Sequence, residues 1–339
     1  MPRLTLAEVA DLGRAALEAS RTSADNARVV AASIAAAEAD GIPSHGVLRL
    51  PIYCAHARSG KVDGQAVPKA EQVAPAALRV DARNGFAHPA IGVGLQALMP
   101  LARLEGIAIL TVHHSYNAGV MGHHVEALAN GGLVAMAFAN APAVVAPWGG
   151  TSAAFGTNPL AFASPRGADH PPIVIDLAST VVARGEIILR ARRGERVPLG
   201  WGLDARGEPT DDPSAILAGG TLAPAGGHKG AALALMVEIV AAAVAGARFS
   251  RAAGSLTEDD RDHAGIGQCL IALDPDPLAG PGFRQRIEEL CEALLADPAV
   301  RLPGMRRVEH RRNAARAGVE IDQGLLDAVA TIGRSGGER

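Results

Sequence analysis

The spacing of apolar residues predicts a helical N-terminal region. Apolar residues recur at helical intervals over residues 6–16, and a second such face follows over residues 29–36. The pattern predicts two helices between residues 5 and 40, separated by a Thr-Ser pair at residues 22–23 that is able to cap the second helix. A third helix is predicted from residue 47 to about residue 58.

Apolar runs of strand length alternate with helix-length periodic segments through the middle of the chain. Predicted strands cover residues 73–80, 107–112, 133–139, 173–177 and 269–273. Predicted helices cover residues 92–105, 120–131, 179–192, 227–247 and 281–296, and the apolar 227–247 helix is expected to be buried on several faces. This interleaving predicts an α/β core, with the mostly helical chain ends as a separate layer and residues 248–265 as a polar, loop-like insertion.

Composition and charge restrict the class of protein. The 339 residues carry 32 Lys and Arg against 35 Asp and Glu, which gives no electrostatic case for binding nucleic acid or an anionic membrane. The three cysteines form no CxxC pair, which argues against a disulfide framework or a structural zinc site. No signal-peptide pattern opens the chain, and the longest apolar stretch is too short to span a membrane, so a cytoplasmic protein is expected.

The segment DGIPSHGVLR at residues 40–49 carries the first candidate chemistry. It ends a helical run with a Gly-x-Pro break and places Ser44, His45 and Arg49 within a short span. The imidazole can carry a proton near neutral pH, Ser44 can fix which ring nitrogen faces a substrate, and a guanidinium can grip a carboxylate. These residues predict half of a site for a small acid. The alternative is structural, with a helix cap, a surface histidine and an ordinary ion pair.

Two further segments are candidate anion sites. GGHKG at residues 226–230 opens the long predicted helix, so His228, Lys229 and the backbone amides can converge on a phosphate. RLPGMRR at residues 301–307 places three guanidiniums around a turn, which suits a nucleotide 2′-phosphate. Each segment fits an exposed basic loop equally well. No GxGxxG motif follows a strand and opens a helix, so a Rossmann nucleotide site is not supported.

Three other segments carry less information when taken singly. FGTNP at residues 155–159 predicts a turn whose Thr157 can contact ligand oxygens. Asp176, at the end of a predicted strand, suits a ribose hydroxyl or a helix cap, and Gly185 suggests that something packs closely against a helix. The histidines at residues 113–114 and 123–124 lack a complete ligand set, so no metal site is expected.

Taken in order, these segments resemble the type 2 malate/L-lactate dehydrogenase family over residues 6–307. Members of that family include malate, ureidoglycolate and sulfolactate dehydrogenases, together with reductases of cyclic imino acids. Each motif is weak alone, but their joint order is highly specific. The motifs are SHG at residues 44–46 with Arg49, FGTNP, GW at residues 200–201 with PTDDP at residues 209–213, HKG at residues 228–230, and LPG at residues 302–304 with Arg306.

The resemblance implies a non-Rossmann, mixed-sheet NAD(P)-binding fold in a homodimer, with the substrate held between two domains. Residues 115–300 would form the NAD(P)-binding domain, and residues 1–114 with 301–339 a mostly helical substrate and dimerisation domain. The catalytic residues implied are His45, Ser44 and Glu186, and the substrate-binding residues are Arg49, Thr157, Arg184 and Gly185. The cofactor-binding residues implied are Asn117, Asp176, Leu177, Ala178, His228, Lys229, Arg301, Gly304, Arg306 and Arg307.

One residue departs from the family pattern. Many hydroxyacid members carry a second histidine in an Asn-Ser-x-His-x-Gly segment, where this chain has Asn117. An amide cannot relay a proton, which leaves His45 as the main candidate acid. Glu186, directly after Arg184 and Gly185, resembles the arrangement in the imino-acid reductases, because a carboxylate near the site would stabilise an iminium.

We therefore predict an NAD(P)H-dependent reductase of a small 2-imino or 2-keto carboxylate. Δ1-pyrroline-2-carboxylate and Δ1-piperideine-2-carboxylate, giving proline and pipecolate, are the favoured substrates. The arginine-rich loop favours NADPH, with NADH as the alternative cofactor. Two other functions stay open, a 2-hydroxyacid dehydrogenase acting on malate, L-lactate or sulfolactate, and a catalytically silent nucleotide-binding protein.

Overall fold

The computed structural model describes residues 1–334, so the last five residues of the predicted helical domain lie outside the description. The strands are β1 (Arg3–Leu4), β2 (Lys69–Ala74), β3 (Ala77–Asp81), β4 (Ile107–Ser115), β5 (Val134–Ala139), β6 (Leu160–Ser164), β7 (Ile173–Leu177), β8 (Gly202–Leu203), β9 (Thr221–Leu222), β10 (Ile266–Leu273) and β11 (Val319–Glu320). The helices are α1 (Leu6–Glu18), α2 (Ala24–Ala39), α3 (Leu50–Ser59), α4 (Ala87–Glu105), α5 (Met121–Asn130), α6 (Arg184–Arg193), α7 (Pro213–Leu217), α8 (His228–Glu238), α9 (Asp276–Ala279), α10 (Phe283–Leu295), α11 (Met305–Ala317) and α12 (Gln323–Arg334).

The helical layer joins the two ends of the chain. Thr5 caps α1 through a reciprocal contact with Glu8, and Ser23 caps α2 by accepting a hydrogen bond from the Asn26 backbone. β1 pairs with β11 in antiparallel fashion, which brings the C-terminal region against α1. Buried side chains of α1, α2, α3 and α12 share one apolar core. The prediction of a mostly helical layer built from both chain ends is confirmed.

The core of the other layer is a seven-stranded sheet in the order β2-β3-β4-β10-β5-β6-β7. Only β3 and β4 run parallel, and every other neighbouring pair in this sheet is antiparallel. One face, which includes Leu110, Val112 and Ala137, packs against α4 and α5. The opposite face carries Phe138 and Cys269, which pack against α8. The prediction of a mixed-sheet, non-Rossmann α/β core is confirmed.

The structure of residues 69–115 differs from the sequence prediction in two ways. The strand predicted over residues 73–80 is a hairpin, because Ala74 pairs with Ala77 across a two-residue turn that contains Pro75. β2, β3 and β4 all belong to the seven-stranded sheet, although the sequence assigned them to the helical domain. The boundary predicted at residue 114 therefore cuts through the sheet.

The helix predicted from residue 179 begins at Arg184. The backbone of the residues before Arg184 pairs with another segment instead. The Val181 amide donates to the Ala223 carbonyl, and Thr180 forms an antiparallel β-bridge with Pro224. A chain segment that pairs with another segment in this way is not free to close helical hydrogen bonds. This pairing ties the segment before α6 to the segment before α8.

The prediction that the long apolar helix over residues 227–247 is buried on several faces is wrong. The helix runs as α8 to Glu238 and continues as a π-helical turn, Ile239–Ala243. Val237 and Ala241 are buried against the sheet, whereas Leu233 and Met236 on the outer side are 41% and 39% exposed. Only one side of the helix is therefore buried within a single chain. Within residues 1–334 there is no helix with the length and apolar character needed to cross a membrane.

Candidate active site

The turn after α2 positions the first group of candidate residues. Pro43–His45 form a single 3₁₀ turn, and Ser44 Oγ lies 3.1 Å from His45 Nδ1. Arg49 donates from Nε to the Ser44 carbonyl over 2.7 Å, which leaves its two terminal nitrogens for a ligand. The contact expected between Ser44 and one imidazole nitrogen is therefore present, and Nε2 of His45 is the ring nitrogen available to a substrate.

A buried carboxylate that the sequence analysis missed holds this turn in place. Glu38 Oε1 accepts a hydrogen bond from the Val47 backbone over 2.7 Å, and burial raises the pKa of Glu38. A Cβ atom at Gly46 would lie 2.0 Å from that oxygen, so only glycine allows the carboxylate to reach Val47. Glu38 looked like one more polar residue of a helix, and nothing in its spacing marked it as a partner of the turn.

The turn forms one wall of a cleft with a volume of about 270 Å³ between the helical layer and the sheet. The opposite wall comes from the ends of β6 and β7 and from the start of α6. The cleft unites most of the predicted substrate residues with part of the predicted cofactor set. The predicted residues that line it are Ser44, His45, Arg49, Asn117, Thr157, Asp176, Ala178, Arg184, Gly185 and Arg307.

Asn117 is held by its amide oxygen. Oδ1 accepts one hydrogen bond from the Tyr53 hydroxyl over 2.8 Å and another from the Gly119 backbone over 2.9 Å. Burial raises the pKa of Tyr53 to about 12, so the phenol keeps its proton and remains a donor. Both contacts use Oδ1, and Nδ2 is therefore the group that Asn117 offers to a ligand in the cleft.

Hydrogen bonds between Asn158 and α8 hold the turn that carries Thr157 in place. Asn158 adopts a left-handed backbone with φ of 36°, and its side-chain nitrogen donates to the Ala234 carbonyl and to Glu238 Oε2, each over 2.9 Å. Glu238 also accepts from the Ser250 backbone. These contacts explain a charged residue in an otherwise apolar helix, because the buried carboxylate anchors the turn beside the cleft.

Burial in the cleft, together with the positive charges nearby, controls the protonation of His45. Burial, with smaller contributions from the nearby charges of Arg49, His123 and Arg307, lowers the pKa of His45 to about 3. Burial also lowers the pKa of Arg184, with a further small contribution from Arg49. The imidazole is therefore neutral at pH 7 when no anion is bound, and a bound carboxylate would find Arg49 and Arg184 together.

Arg307, the last residue of the arginine-rich segment, and Arg311, one turn further along α11, have different partners. Arg307 donates from one terminal nitrogen to Asp176 over 3.2 Å, and its other terminal nitrogen is buried with no protein partner. A Cβ atom at Gly122 would lie 2.3 Å from that second nitrogen, so the cleft is tightly built there. Arg311, by contrast, is engaged with Asp40 and Glu126 in an ion network and is not free to bind an anion.

Gly304, Arg301 and Arg306 do not line the cleft. Gly304 begins α11 with φ of 86° and packs against Val174 of β7, which places Arg307 beside Asp176. Arg301 and Arg306 are exposed to solvent. Their predicted contacts with a cofactor therefore require a ligand that extends beyond the cleft around His45.

Two other predicted residues, Glu186 and Leu177, do not line the cleft. Gly185 lines it but is not tightly packed. Glu186 forms an ion pair with Arg190 one helical turn later, over 2.8 Å, and it is not among the residues that line the cleft. Leu177 is 53% exposed. A Cβ atom at Gly185 would be 3.7 Å from Ser44, which is an ordinary contact, so packing alone does not require glycine there. The catalytic role of Glu186 stays a prediction.

His228 and Lys229 lie outside the cleft. Both are exposed at the first turn of α8, and the His228 ring lies 5.8 Å from the ring of Trp148. Trp148, with Gly226 and Gly227, lines a second depression of about 400 Å³. The backbone of Ala225 donates to the Ser179 carbonyl next to cleft residue Ala178, so the two depressions adjoin one connected segment.

The insertion at residues 248–265 supplies cleft residues that the sequence did not reveal. Leu256 and Thr257 line the cleft, although this segment was interpreted as a polar loop. Lys61, which is 1% exposed, holds the insertion through an ion pair with Asp260, and its carbonyl oxygen lies 2.9 Å from His263 Nδ1. Only the apolar Leu256 within a polar stretch was a signal for this role.

The fold and the cleft define a class of enzyme whose members share this chain's motifs. The family model described as malate/L-lactate dehydrogenase matches residues 4–330. The chain belongs to this family, and it is an oxidoreductase.

Individual relatives cover almost the whole chain. A (2R)-3-sulfolactate dehydrogenase (NADP(+)) of Chromohalobacter salexigens is 45% identical, with 96% of each chain covered. A Δ1-pyrroline-2-carboxylate/Δ1-piperideine-2-carboxylate reductase of Pseudomonas putida is 42% identical, over 97% of this chain and 96% of that one. The solved structure of Δ1-piperideine-2-carboxylate reductase from Pseudomonas syringae superposes with a TM-score of 0.93 at 41% identity, covering 98% of this chain and 100% of that one.

Proposed function

We propose that this protein reduces a small cyclic 2-imino acid, Δ1-pyrroline-2-carboxylate or Δ1-piperideine-2-carboxylate, with NADPH. The single observation that carries the proposal is a neutral His45 facing a small cleft that also contains Arg49 and Arg184. Relatives from Pseudomonas putida and Pseudomonas syringae that carry these reductase names support it. A volume of about 270 Å³ suits a substrate with one ring and one carboxylate.

The two arginines bind and orient the substrate carboxylate. Arg49 offers both terminal nitrogens, because its Nε is already bonded to the Ser44 carbonyl. With the carboxylate held there, the neighbouring C2=N bond lies beside His45 and Thr157. This arrangement fixes the imine carbon at one place in the cleft, which is the main requirement for productive transfer.

His45 acts on the imine nitrogen. When Nδ1–H donates to Ser44 Oγ, Nε2 carries the lone pair and accepts a hydrogen bond from the iminium N–H. An iminium brings its own proton, so addition at C2 gives the CH–NH product without a proton donated by His45. Reduction of a 2-keto acid would instead need a proton donor at the carbonyl oxygen, and His45, which is neutral before an anion binds, would first have to gain a proton.

The residues of the cleft and of the second depression fit a nicotinamide dinucleotide. Two separate groups can donate hydrogen bonds to an anion. They are the buried, unpartnered nitrogen of Arg307 and the exposed ammonium of Lys229 at a helix start. Asp176, Ala178 and Asn117 would contact the cofactor near the substrate, and His228, Lys229, Arg301 and Arg306 its phosphates. When bound, the reduced nicotinamide supplies the hydride. The guanidinium-rich segment favours NADPH over NADH.

A 2-hydroxyacid dehydrogenase is the second candidate function. The specific observation in its favour is that two guanidiniums face one cleft, since a substrate with two anionic groups, such as sulfolactate, would pair with both. The 45% identical relative from Chromohalobacter salexigens carries that name. The neutral His45 would then accept the hydroxyl proton of the substrate.

A substrate panel separates the functions. Oxidation of NADPH and of NADH is followed at 340 nm with Δ1-piperideine-2-carboxylate, Δ1-pyrroline-2-carboxylate, pyruvate and oxaloacetate, and reduction of NADP⁺ is followed with sulfolactate, malate and lactate. We expect kcat/KM with NADPH to be highest for the two cyclic imines. Faster turnover of a keto acid or a hydroxyacid contradicts the first proposal, and cofactor binding without turnover of any substrate favours a silent binding protein.

We further propose that the enzyme is a homodimer that covers the outer side of α8. Leu233, Met236 and Ile239 expose apolar surface there, and Met136 on the adjoining sheet face is 38% exposed. A continuous apolar surface of this kind is typical of subunit contacts. The mass from light scattering is expected to be that of two chains, and Met236→Lys should shift it towards one chain. Leu278→Lys, which changes an exposed leucine on α9, is the control.

A further inference from the structure

Three potential metal ligands meet at the carboxyl ends of β3 and β4, outside the cleft. The two strands are parallel, and Asp81 is directly paired with His113 in their register. Paired residues of neighbouring strands point to the same face of a sheet. Asp81 and His113 therefore begin as neighbours on one face.

The backbone at His114 brings a third side chain to the same place. Consecutive residues of a regular strand point to opposite faces, but His114 has φ of 47°, which is left-handed and breaks the alternation. As a result the ring centroids of His113 and His114 are only 4.4 Å apart. Asp81 Oδ1 lies 3.0 Å from His114 Nδ1. One ligand atom from each residue lies within 4.8 Å of the other two.

Backbone contacts keep the three residues in position. The Ala82 amide donates to the His113 carbonyl over 3.0 Å, and the Asn84 amide donates to the His114 carbonyl over 2.8 Å. Asp81 also accepts from the Arg83 backbone over 2.8 Å. The side chains of His114 and Asp81 are 53% and 37% exposed, so an ion from solvent has direct access. The backbone that carries the three ligands is thus held in place, and the Asp81 carboxylate is held by the Arg83 amide and His114.

We propose that Asp81, His113 and His114 form a binding site for a divalent transition metal of the zinc class, with water completing the coordination. Two imidazoles and one carboxylate suit Zn²⁺, Co²⁺ or Ni²⁺, whereas Mg²⁺ and Ca²⁺ prefer oxygen ligands alone. The sequence analysis expected no metal because no carboxylate or cysteine completed a ligand set with these two histidines and with His123 and His124. Those two are occupied elsewhere, by Asp40 and by the Ala118 carbonyl, and the missing carboxylate comes from a residue more than 30 positions earlier in the chain.

The test is calorimetric titration of the untagged, chelator-treated full-length protein with zinc chloride. We expect one ion per chain, with affinity at least about tenfold weaker in His114→Ala and in Asp81→Asn, since each variant loses a direct ligand. His170→Ala, which removes an exposed histidine beside Glu288, should bind zinc as the unaltered protein does. Cobalt binding should give visible d–d absorption in the unaltered protein and lose it in His114→Ala.

Circular dichroism confirms that each variant is folded, and His113→Gln replaces any variant that is not. The proposal is overturned if the unaltered protein binds no zinc under these conditions. It is equally overturned if the variants at Asp81, His113 and His114 bind zinc as tightly as the unaltered protein, or if His170→Ala weakens binding as much as they do. The catalytic panel does not enter this test, so its result is independent of the proposed reaction.

Discussion

Hydrogen bonds hold the side chains around His45, whereas those around Lys229 face solvent. Ser44, Arg49 and Asn117 each make at least one such contact before any ligand arrives. His228 lies beside the ring of Trp148, and among residues 1–334 no ion pair holds either His228 or Lys229, both of which are exposed at a helix start. Backbone pairing joins the two regions around residues 179–181 and 223–225, and the Leu222 amide also donates to the carbonyl of cleft residue Val144.

The difference teaches where this fold requires precision. A group that must meet one substrate atom is preorganised by buried partners, because a small displacement there costs rate. A group that contacts a phosphate needs only charge and reach, because an ionic contact tolerates variation in position. Substitutions in the first region should therefore change chemistry, and those in the second should change cofactor affinity.

The largest effect is expected for His45→Ala. Loss of the imidazole should lower kcat with the preferred substrate by about 10²-fold, because Nε2 no longer accepts the hydrogen bond that positions the iminium N–H. The cofactor Kd, measured by quenching of tryptophan fluorescence, should change less than about threefold, because the residues proposed to contact the phosphates lie outside the cleft. His170→Ala, at an exposed histidine beside Glu288, is the matched control. An equal loss of turnover and of cofactor affinity would contradict the distinction between the regions.

Arg49→Ala should act mainly on substrate binding. Loss of a guanidinium that holds the carboxylate should raise KM by about 100-fold, which corresponds to about 2.7 kcal/mol. Arg286→Ala, which removes an exposed guanidinium on α10, should leave KM unchanged. Steady-state kinetics with saturating cofactor give the result, and an unaltered KM in Arg49→Ala would remove this residue from the substrate site.

Lys229→Ala should act only on the cofactor. We expect the Kd for NADPH to rise by about tenfold at low salt, with kcat at saturating NADPH little changed, because the exposed ammonium is proposed to contact a cofactor phosphate and not the substrate. Lys69→Ala, at an equally exposed lysine on β2, provides the comparison. If both variants bind NADPH alike, the surface beside Trp148 is not part of the cofactor site.

The smallest expected effect concerns stability at acid pH. Burial, with a smaller contribution from neighbouring histidines, lowers the pKa of His88, which lies behind Gly119 of the cleft wall, to about 3. The unfolded chain binds a proton at this histidine below pH about 6.5, and the folded chain does not, so stability falls as the pH drops from 6.5 towards 3.

His88→Gln should therefore weaken the pH dependence by up to about 1.4 kcal/mol per pH unit below pH 6.5. Urea unfolding at pH 7.0, 6.0 and 5.0 measures the slope. His170→Gln, at an exposed histidine, should keep the slope of the unaltered protein. Identical slopes in all three proteins would mean that His88 takes up its proton in the folded state.

The sequence predicted the fold where local patterns determine structure. The Thr-Ser pair at residues 22–23 and the β-branched run of β4 gave elements close to those observed. The hairpin was missed although Pro75, inside the predicted strand, was a local signal for a turn. The late start of α6 was missed because it depends on pairing with the distant segment before α8, which no local pattern reveals. The exposed side of α8 was missed for a similar reason, since apolar composition does not say whether the partner is the same chain or another.

The candidate site was predictable where motif residues themselves line the cleft. Ser44, His45 and Arg49 are adjacent in sequence, so their proximity needed no tertiary information. Glu38 and Asn158 were not predicted in their supporting roles, because each acts through a neighbour and looks ordinary in its own segment. The meeting of Asp81 with His114 depended on strand register, which the sequence did not give.

The insertion that carries Leu256 and Thr257 has a consequence for how this enzyme could acquire new substrates. It contributes to the cleft without belonging to the sheet, and Leu256 packs at the edge of the helical core while Lys61 holds the segment through Asp260. Changes in its length or apolar content can therefore reshape the entrance while the proton-handling residues stay where they are. Mutations in this segment, natural or engineered, can therefore alter the substrate range without changing the residues around His45.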